Sequence, residues 1–292
     1  ADNSESDIAV AYCPERVLPG HIVKELVEND RIIGGVTARC SQQAKDLYKI
    51  FVQGDCLLTD CRTAELSKLV ENAYRDVNIA FANELSLISD KLNVDVWELI
   101  NLANRHPRVH ILEPGPGVGG HCIAVDPWFI IDAVPDQARL IKTGRLINFE
   151  KPKFVLEKIQ QAVDKTGWEK SALQIACLGL AFKPNIDDLR ESPAMEISKE
   201  IQLMGFKHLY LVEPNINEIP EEFDSTSVSL TGVELALKSS DIIVILVKHK
   251  SFKNIQFNLL SDKVVVDIVG LNKEGKTLNY NGFEENFGVK VK

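Results

Sequence analysis

The stretch PGPGVGGHCIAVDP, residues 114–127, surrounds one cysteine with four glycines and three prolines and places a carboxylate, Asp126, four residues after it. Glycines let a backbone approach a ligand closely, and prolines stiffen the loop that carries them. A thiol presented by such a loop has the chemistry of a nucleophile. The same residues also suit a tight turn before a helix, with Cys122 as a small buried apolar side chain. Asp126 then caps the helix that carries Pro127 and Trp128. Lys68 and Asn72 stand four apart in a helical stretch, so they share a face beside its apolar stripe. They suit either a solvated pair or a polar pair aimed at a ligand. Glu15, in CPERVLPG, follows a strand end and a proline, where α/β proteins place ligand-binding groups, although an exposed loop carboxylate reads the same way. In GLAFKPNIDDLRES a strand ends at Gly179 and the chain turns through Lys183, Asp187, Asp188 and Arg190. Two cations near a strand's carboxyl end suit a phosphate, while a charged crossover loop is the plainer reading.

These groups need elements to hold them. The first sixty residues read as strands in DIAVAYCPE, RIIGGV and CLLTDC, with a helix over SQQAKDLYKIFVQG capped by its serine. A long helix follows in TAELSKLVENAYRDVNIAFANELSLISDKL, whose apolar residues recur every three or four positions. NVDVWELINLA and VLEKIQQAVDKTG are further helices. From about residue 172, ALQIACLGLAF, HLYLVEP, SDIIVILV and KVVVDIVG are apolar strands. SPAMEISKEIQLMG and TGVELALKSS are the helices that alternate with them. That alternation predicts a parallel sheet covered on both faces. The predicted fold class is α/β, divided into a Rossmann-like part over 1–61, a central helical part with a long helix over 62–170 and a Rossmann-like parallel-sheet part over 171–292.

With 292 residues, 45% hydrophobic and 26% charged, the chain has the composition of an ordinary folded protein. A formal net charge of −9 argues against a general nucleic-acid or anionic-membrane surface. No run of about 18 apolar residues suggests a membrane span. The six cysteines show no paired zinc spacing, Cys56 and Cys61 being the nearest to one, and are read as reduced thiols of a cytoplasmic protein. No metal is expected.

Four segments, CPERVLPG, ELSKLVENAYRDVNIAFANE, HPRVHILEPGPGVGGHCIAVDP and GLAFKPNIDDLRESPA, occur in that order across residues 13 to 194. Together they resemble the nucleotide-sugar 6-dehydrogenases, the UDP-glucose/GDP-mannose dehydrogenase family. The cysteine loop resembles the N-acetylhexosamine branch, which implies UDP-N-acetylmannosamine as the sugar. The resemblance implies Cys122 as the nucleophile that captures the aldehyde, and Lys68 and Asn72 as holders of the oxygen that gains negative charge. It implies Asp126 and Glu15 as aids to water and proton movement. Gly119, Gly120, Phe182 and Lys183 fall on substrate-binding positions, Arg190 on a cofactor contact, and Arg108 on an arginine that reaches the partner subunit's substrate. NAD as cofactor and a homodimer are implied as well.

Two departures follow. Pro19 stands where UDP-glucose enzymes carry a second acidic residue, which favours a different sugar. No GxGxxG occurs in the 292 residues, although the family begins with that turn, so the expectation is a chain lacking the start of its NAD-binding part. Two functions are therefore expected in competition: a dehydrogenase, or a dimerising module that binds a nucleotide sugar without redox activity.

Overall fold

The structure is a computed structural model that describes residues 7–17 and 22–272, so Pro19 lies outside the described residues. The chain divides into two compact units, residues 1–74 and 75–292.

The first unit holds β1 (Ala11–Tyr12), α1 (Ile22–Glu28), β2 (Arg31–Gly35), α2 (Ala38–Tyr48), β3 (Cys56–Asp60) and the start of α3 (Cys61–Leu92). Its sheet runs β1-β2-β3, with β2 and β3 parallel and β1 antiparallel to β2. The short apolar run DIAVAYCPE thus yields a two-residue edge strand. The cap of α2 also differs from expectation: Thr37, not Ser41, accepts the amide of Cys40. Ser41 turns inward, accepting from Gly35 N at 2.8 Å and donating to Thr59 O at 3.3 Å.

Helix α3 is unbroken over 32 residues, about nine turns. Leu66, Val70, Tyr74, Phe81, Ile88 and Leu92 along it are all exposed. Their spacing of four and seven keeps them on one stripe. Part of the apolar periodicity read from the sequence thus marks an uncovered seam rather than core.

The second unit contains α4 (Val96–Ala103), α5 (Asp126–Ala133), α6 (Arg139–Thr166), β4 (Gln174–Leu178), α7 (Pro193–Leu203), β5 (His208–Val212), β6 (Val228–Leu230), α8 (Val233–Ser239), β7 (Ile242–Ile245) and β8 (Val264–Asp267). The five strands are parallel throughout in the order β6-β5-β4-β7-β8. Alternate residues of β4 serve opposite layers. Ile175 and Cys177 pack with Val155 and Ile159 of α6 and Ile197 and Ile201 of α7. Ala176 and Leu178 join Ala236 of α8 and Phe252 on the other face. Burial on both faces explains why these strands read as continuous apolar runs. The chain order reverses between β4 and β7, so the crevice at their carboxyl ends is the topological switch point.

Helix α7 starts as its sequence predicts, with Ser192 as N-cap and Pro193 in the first turn. Helix α6 is 28 residues long, far longer than the segment VLEKIQQAVDKTG, and ends where Gly167 takes a left-handed φ of 69°.

Candidate active site

In the first unit Glu15 follows β1, and Lys68 and Asn72 lie half-buried on α3. Glu15 receives the guanidinium of Arg31 at 3.0 Å and the amide of Arg16 at 2.7 Å. Burial pushes its carboxyl up, but these hydrogen bonds outweigh burial and hold it below the usual carboxylate range. Arg31 is itself buried, with its guanidinium donating to Leu26 O and lying 5.8 Å from the Tyr48 ring centre. A cavity beside it is lined by Arg16, Asn29, Asp30, Lys68 and Glu71, with Arg16 and Glu71 paired at 2.8 Å. Glu15 is therefore a fixed carboxylate, better suited to orienting a water than to taking up a proton at low pH.

In the second unit the glycine-rich loop leads into α5. The Cys122 carbonyl accepts the amides of Val125 and Asp126 at 3.2 and 2.8 Å, and the Cys122 side chain is exposed. That exposure removes the buried-thiol reading. Asp126 does not cap α5, contrary to expectation. The N-cap is Val125, without a side-chain hydrogen bond, and Asp126 is the first helical residue. A carboxylate there meets the positive end of the helix.

The loop packs on the segment that follows β4. A Cβ on Gly119 would stand 2.3 Å from Glu191 O and 2.9 Å from the Phe182 Cβ. Gly120, at φ 79°, lies against the Phe182 ring, where a Cβ would meet ring carbon Cε2 at 3.0 Å. These glycines are thus required by contact between two protein loops as much as by any ligand. Lys183 is exposed with its ammonium 5.8 Å from the Phe182 ring centre. Arg190 forms a two-pronged pair with Asp188 at 2.8 and 2.6 Å. That hydrogen bonding holds the Asp188 carboxyl down at about 2, with His121 of the glycine-rich loop adding to the effect. The structure therefore brings Gly119, Gly120, His121, Phe182, Lys183 and Arg190 together at the carboxyl end of β4. Arg108 is exposed on the segment between α4 and that loop.

A buried polar chain anchors the loop from below, and the sequence reading missed it. Asn83 Oδ1 accepts Gly115 N at 2.9 Å, and Asn83 Nδ2 donates to Asn148 Oδ1 at 2.8 Å. Asn148 Nδ2 then donates to Asp76 Oδ1 at 2.8 Å, which also accepts Arg145 at 2.6 Å. Burial pushes the Asp76 carboxyl up and the Arg145 guanidinium down, while the charge and hydrogen bond of each partner oppose that shift in the other. Polar residues spaced along α3 and α6 were the available signal, but polar side chains on a helix ordinarily face water, so nothing in the sequence set these apart.

A dinucleotide would need free amides at a strand–turn–helix corner. The β2–α2 corner of the first unit is closed instead. A Cβ on Gly34 would stand 2.5 Å from the Ala64 Cβ, and the Gly35 amide is taken by Ser41 Oγ. The described residues of this corner do not form a pyrophosphate cradle. Among the described residues no cluster of His, Cys, Asp and Glu suits a metal ion, and no helix is long and apolar enough to cross a membrane.

A parallel sheet with a thiol loop and a lysine-bearing loop near its switch point belongs to the doubly wound α/β class, in which ligands bind at that crevice. Sequence profiles refine this. Those of the UDP-glucose/GDP-mannose dehydrogenase family match over residues 1–52 (NAD binding domain), 62–150 (central domain) and 176–274 (UDP binding domain). The chain belongs to this family. It is 57% identical over 267 residues to an NDP-N-acetyl-D-galactosaminuronic acid dehydrogenase of Ralstonia solanacearum, covering 91% of this chain and 62% of that one. A UDP-N-acetyl-D-mannosamine dehydrogenase of Campylobacter jejuni is 55% identical over 261 residues, covering 89% of this chain and 62% of its own. Among solved structures, the UDP-D-ManNAc dehydrogenase of Pyrococcus horikoshii is similar at a TM-score of 0.82 and 38% identity, over 93% of this chain and 63% of that one. The chain thus spans about three fifths of the length of the relatives it matches.

Proposed function

We propose that this chain carries the nucleotide-sugar site and the nucleophile of an enzyme that oxidises the C6 alcohol of UDP-N-acetyl-D-mannosamine to the uronic acid. The observation that supports this most is the exposed Cys122 thiol on a loop seated against the Phe182–Lys183 segment. Lys183 is assigned to the diphosphate, and Phe182 with the amides of Gly119 and Gly120 to the sugar. NAD+, the family's cofactor, supplies the hydride acceptor for both oxidations. Cys122 Sγ, as thiolate, bonds to the aldehyde carbon, and the carbonyl oxygen takes the electron pair. Lys68 and Asn72 are assigned to that oxygen. After the second oxidation the carbon is held as a thioester. Water adds, the C–S bond breaks, and the thiolate returns as the carboxylate leaves. Glu15 orients that water and Asp126 relays its protons.

The reading extends to organisation, with three domains divided near residues 61 and 170 and a homodimer formed through α3. The exposed stripe Leu66–Val70–Tyr74–Phe81–Ile88–Leu92 supports the dimer, because a second copy would cover it. Arg108 is assigned to the partner's substrate and Arg190 to the cofactor. The free state of all six cysteines suits a cytoplasm.

Two other readings rest on specific observations. The 57% identity to the Ralstonia enzyme supports a nucleoside-diphosphate N-acetylgalactosamine as substrate, for which UDP-N-acetylgalactosamine is the probe. The closed β2–α2 corner supports a module that binds nucleotide sugar without turnover. Calorimetry with UDP-N-acetylmannosamine, UDP-N-acetylgalactosamine and UDP-glucose, paired with NADH production from each, separates the three. Tightest binding to UDP-N-acetylmannosamine is expected and, once NAD+ is raised to saturation, fastest turnover with it as well. Preference for another sugar refutes the substrate assignment, and binding without turnover favours the silent module.

A further inference from the structure

The segment Leu180–Asn185, which carries Phe182 and Lys183, is held from beneath by two buried ionisable residues with no part in the chemistry above. Glu213 follows β5 and His249 lies beyond β7; they are 4% and 1% exposed. Glu213 Oε2 accepts the amides of Leu180 and Ala181 at 2.8 and 3.1 Å, and His249 Nε2 stands 3.0 Å from the same oxygen. The other oxygen, Oε1, accepts the amide and side chain of Asn215. On the far side of the imidazole, Nδ1 accepts the amide of Asn185 at 3.0 Å. A nitrogen that accepts an amide carries no proton, so His249 is neutral with its proton on Nε2, donated to Glu213.

An apolar side chain would close these strand ends without the cost of a buried carboxylate. Hydrogen bonds from His249 and the two amides outweigh burial and keep Glu213 ionised. Within the segment they hold, Asn185 takes a left-handed φ of 63°, a conformation that few non-glycine residues adopt and that the surrounding contacts must keep in place. The Asn185 side chain is secured in turn by the amide of Lys250 at 2.8 Å. Three loop amides on one carboxylate–imidazole pair fix the backbone on both sides of Phe182 and Lys183.

We propose that Glu213 and His249 are positioning residues that hold the Leu180–Asn185 segment in the conformation that binds the nucleotide sugar. This rests on the assignment of Phe182 and Lys183 made above. Two substitutions divide the clamp. In His249→Asn, Oδ1 replaces Nδ1 as acceptor for Asn185. In His249→Gln, the amide nitrogen keeps the bond to Glu213 but no acceptor remains for Asn185. Amide exchange of peptides spanning 180–186 and calorimetry with UDP-N-acetylmannosamine are measured on the full 292-residue chain. His249→Gln should speed exchange of the segment and weaken binding about tenfold, while exchange in α7 and the melting temperature stay near wild type. His249→Asn should restore most of both. Normal wild-type binding that His249→Gln leaves unchanged overturns the clamp alone. So does an equal loss in both variants that tracks the melting temperature. A wild-type chain that binds no nucleotide sugar overturns the substrate reading, and the role of the clamp with it.

Discussion

Asp76→Ala should destabilise the second unit strongly, because it strands a buried cation. Asp76 and Arg145 are 0% and 4% exposed and meet at 2.6 Å. Removing the carboxylate leaves the guanidinium without its anion, a change that costs about 3–5 kcal/mol in buried pairs. The lower end applies here, since Asp76 Oδ2 and Arg145 Nε already lack hydrogen-bond partners among the described residues. A loss of about 3 kcal/mol corresponds to a fall in melting temperature of about 6–12 °C for a unit of this size. Asn148 keeps the Asp76 carbonyl as acceptor at 3.0 Å, so the chain toward Asn83 and Gly115 weakens without vanishing. Urea denaturation and thermal scans of wild type, Asp76→Ala, Arg145→Met and the double variant test this. The double variant should be more stable than Asp76→Ala alone, because it removes the stranded charge. A loss below about 1 kcal/mol in Asp76→Ala, or simple additivity in the double, refutes the argument.

Lys151 is buried, and desolvation lowers its ammonium to about 7 from 10.5. Above the folded value the native state binds fewer protons than the unfolded chain, so this lysine makes stability rise between about pH 7 and the free value of 10.5. Lys151→Met should be about 1–4 kcal/mol more stable at pH 6 and lack that rise, as denaturation across the pH range will show. Gly119→Ala forces a methyl against the Glu191 carbonyl and should cost about 1–3 kcal/mol in urea denaturation, together with nucleotide-sugar affinity; wild-type behaviour in both would contradict the loop contact. The 292-residue chain should bind NAD+ far more weakly than UDP-N-acetylmannosamine, because the Gly35 amide is already taken by Ser41. Calorimetry showing micromolar NAD+ binding would reveal a cradle elsewhere.

The parallel sheet was legible because β4, β7 and β8 are buried on both faces and read as unbroken apolar runs. Helix α7 was legible from Ser192 and Pro193. Helix α6 was legible only in its second half. Its buried positions include Arg145, Asn148 and Lys151, so the apolar periodicity fails where the helix turns polar residues inward. Pro152 within it reads as a breaker besides. The α2 cap was misplaced because Ser41 and Thr37 both suit the position, and the inward bond of Ser41 depends on the tertiary fold. Strand β6, three residues of VSL, is too short to show a period. At the site, Cys122, Lys183 and the glycines stood out by type and spacing. Glu213 and His249 did not, being single polar residues at strand ends whose partners are backbone amides 32 to 64 residues away.

The capture of an aldehyde by Cys122 can be tested without a cofactor. The 6-aldehyde of UDP-N-acetylmannosamine, added to this chain, should form a thiohemiacetal on Cys122 by simple addition. Mass spectrometry after brief iodoacetamide treatment would read the protection of each cysteine against the parent alcohol as control. Protection of Cys122 by the aldehyde well beyond that given by the alcohol, with the other five cysteines unaffected and the effect weakened in Lys183→Ala, is the predicted result. Equal labelling of Cys122 with aldehyde and alcohol would contradict the account.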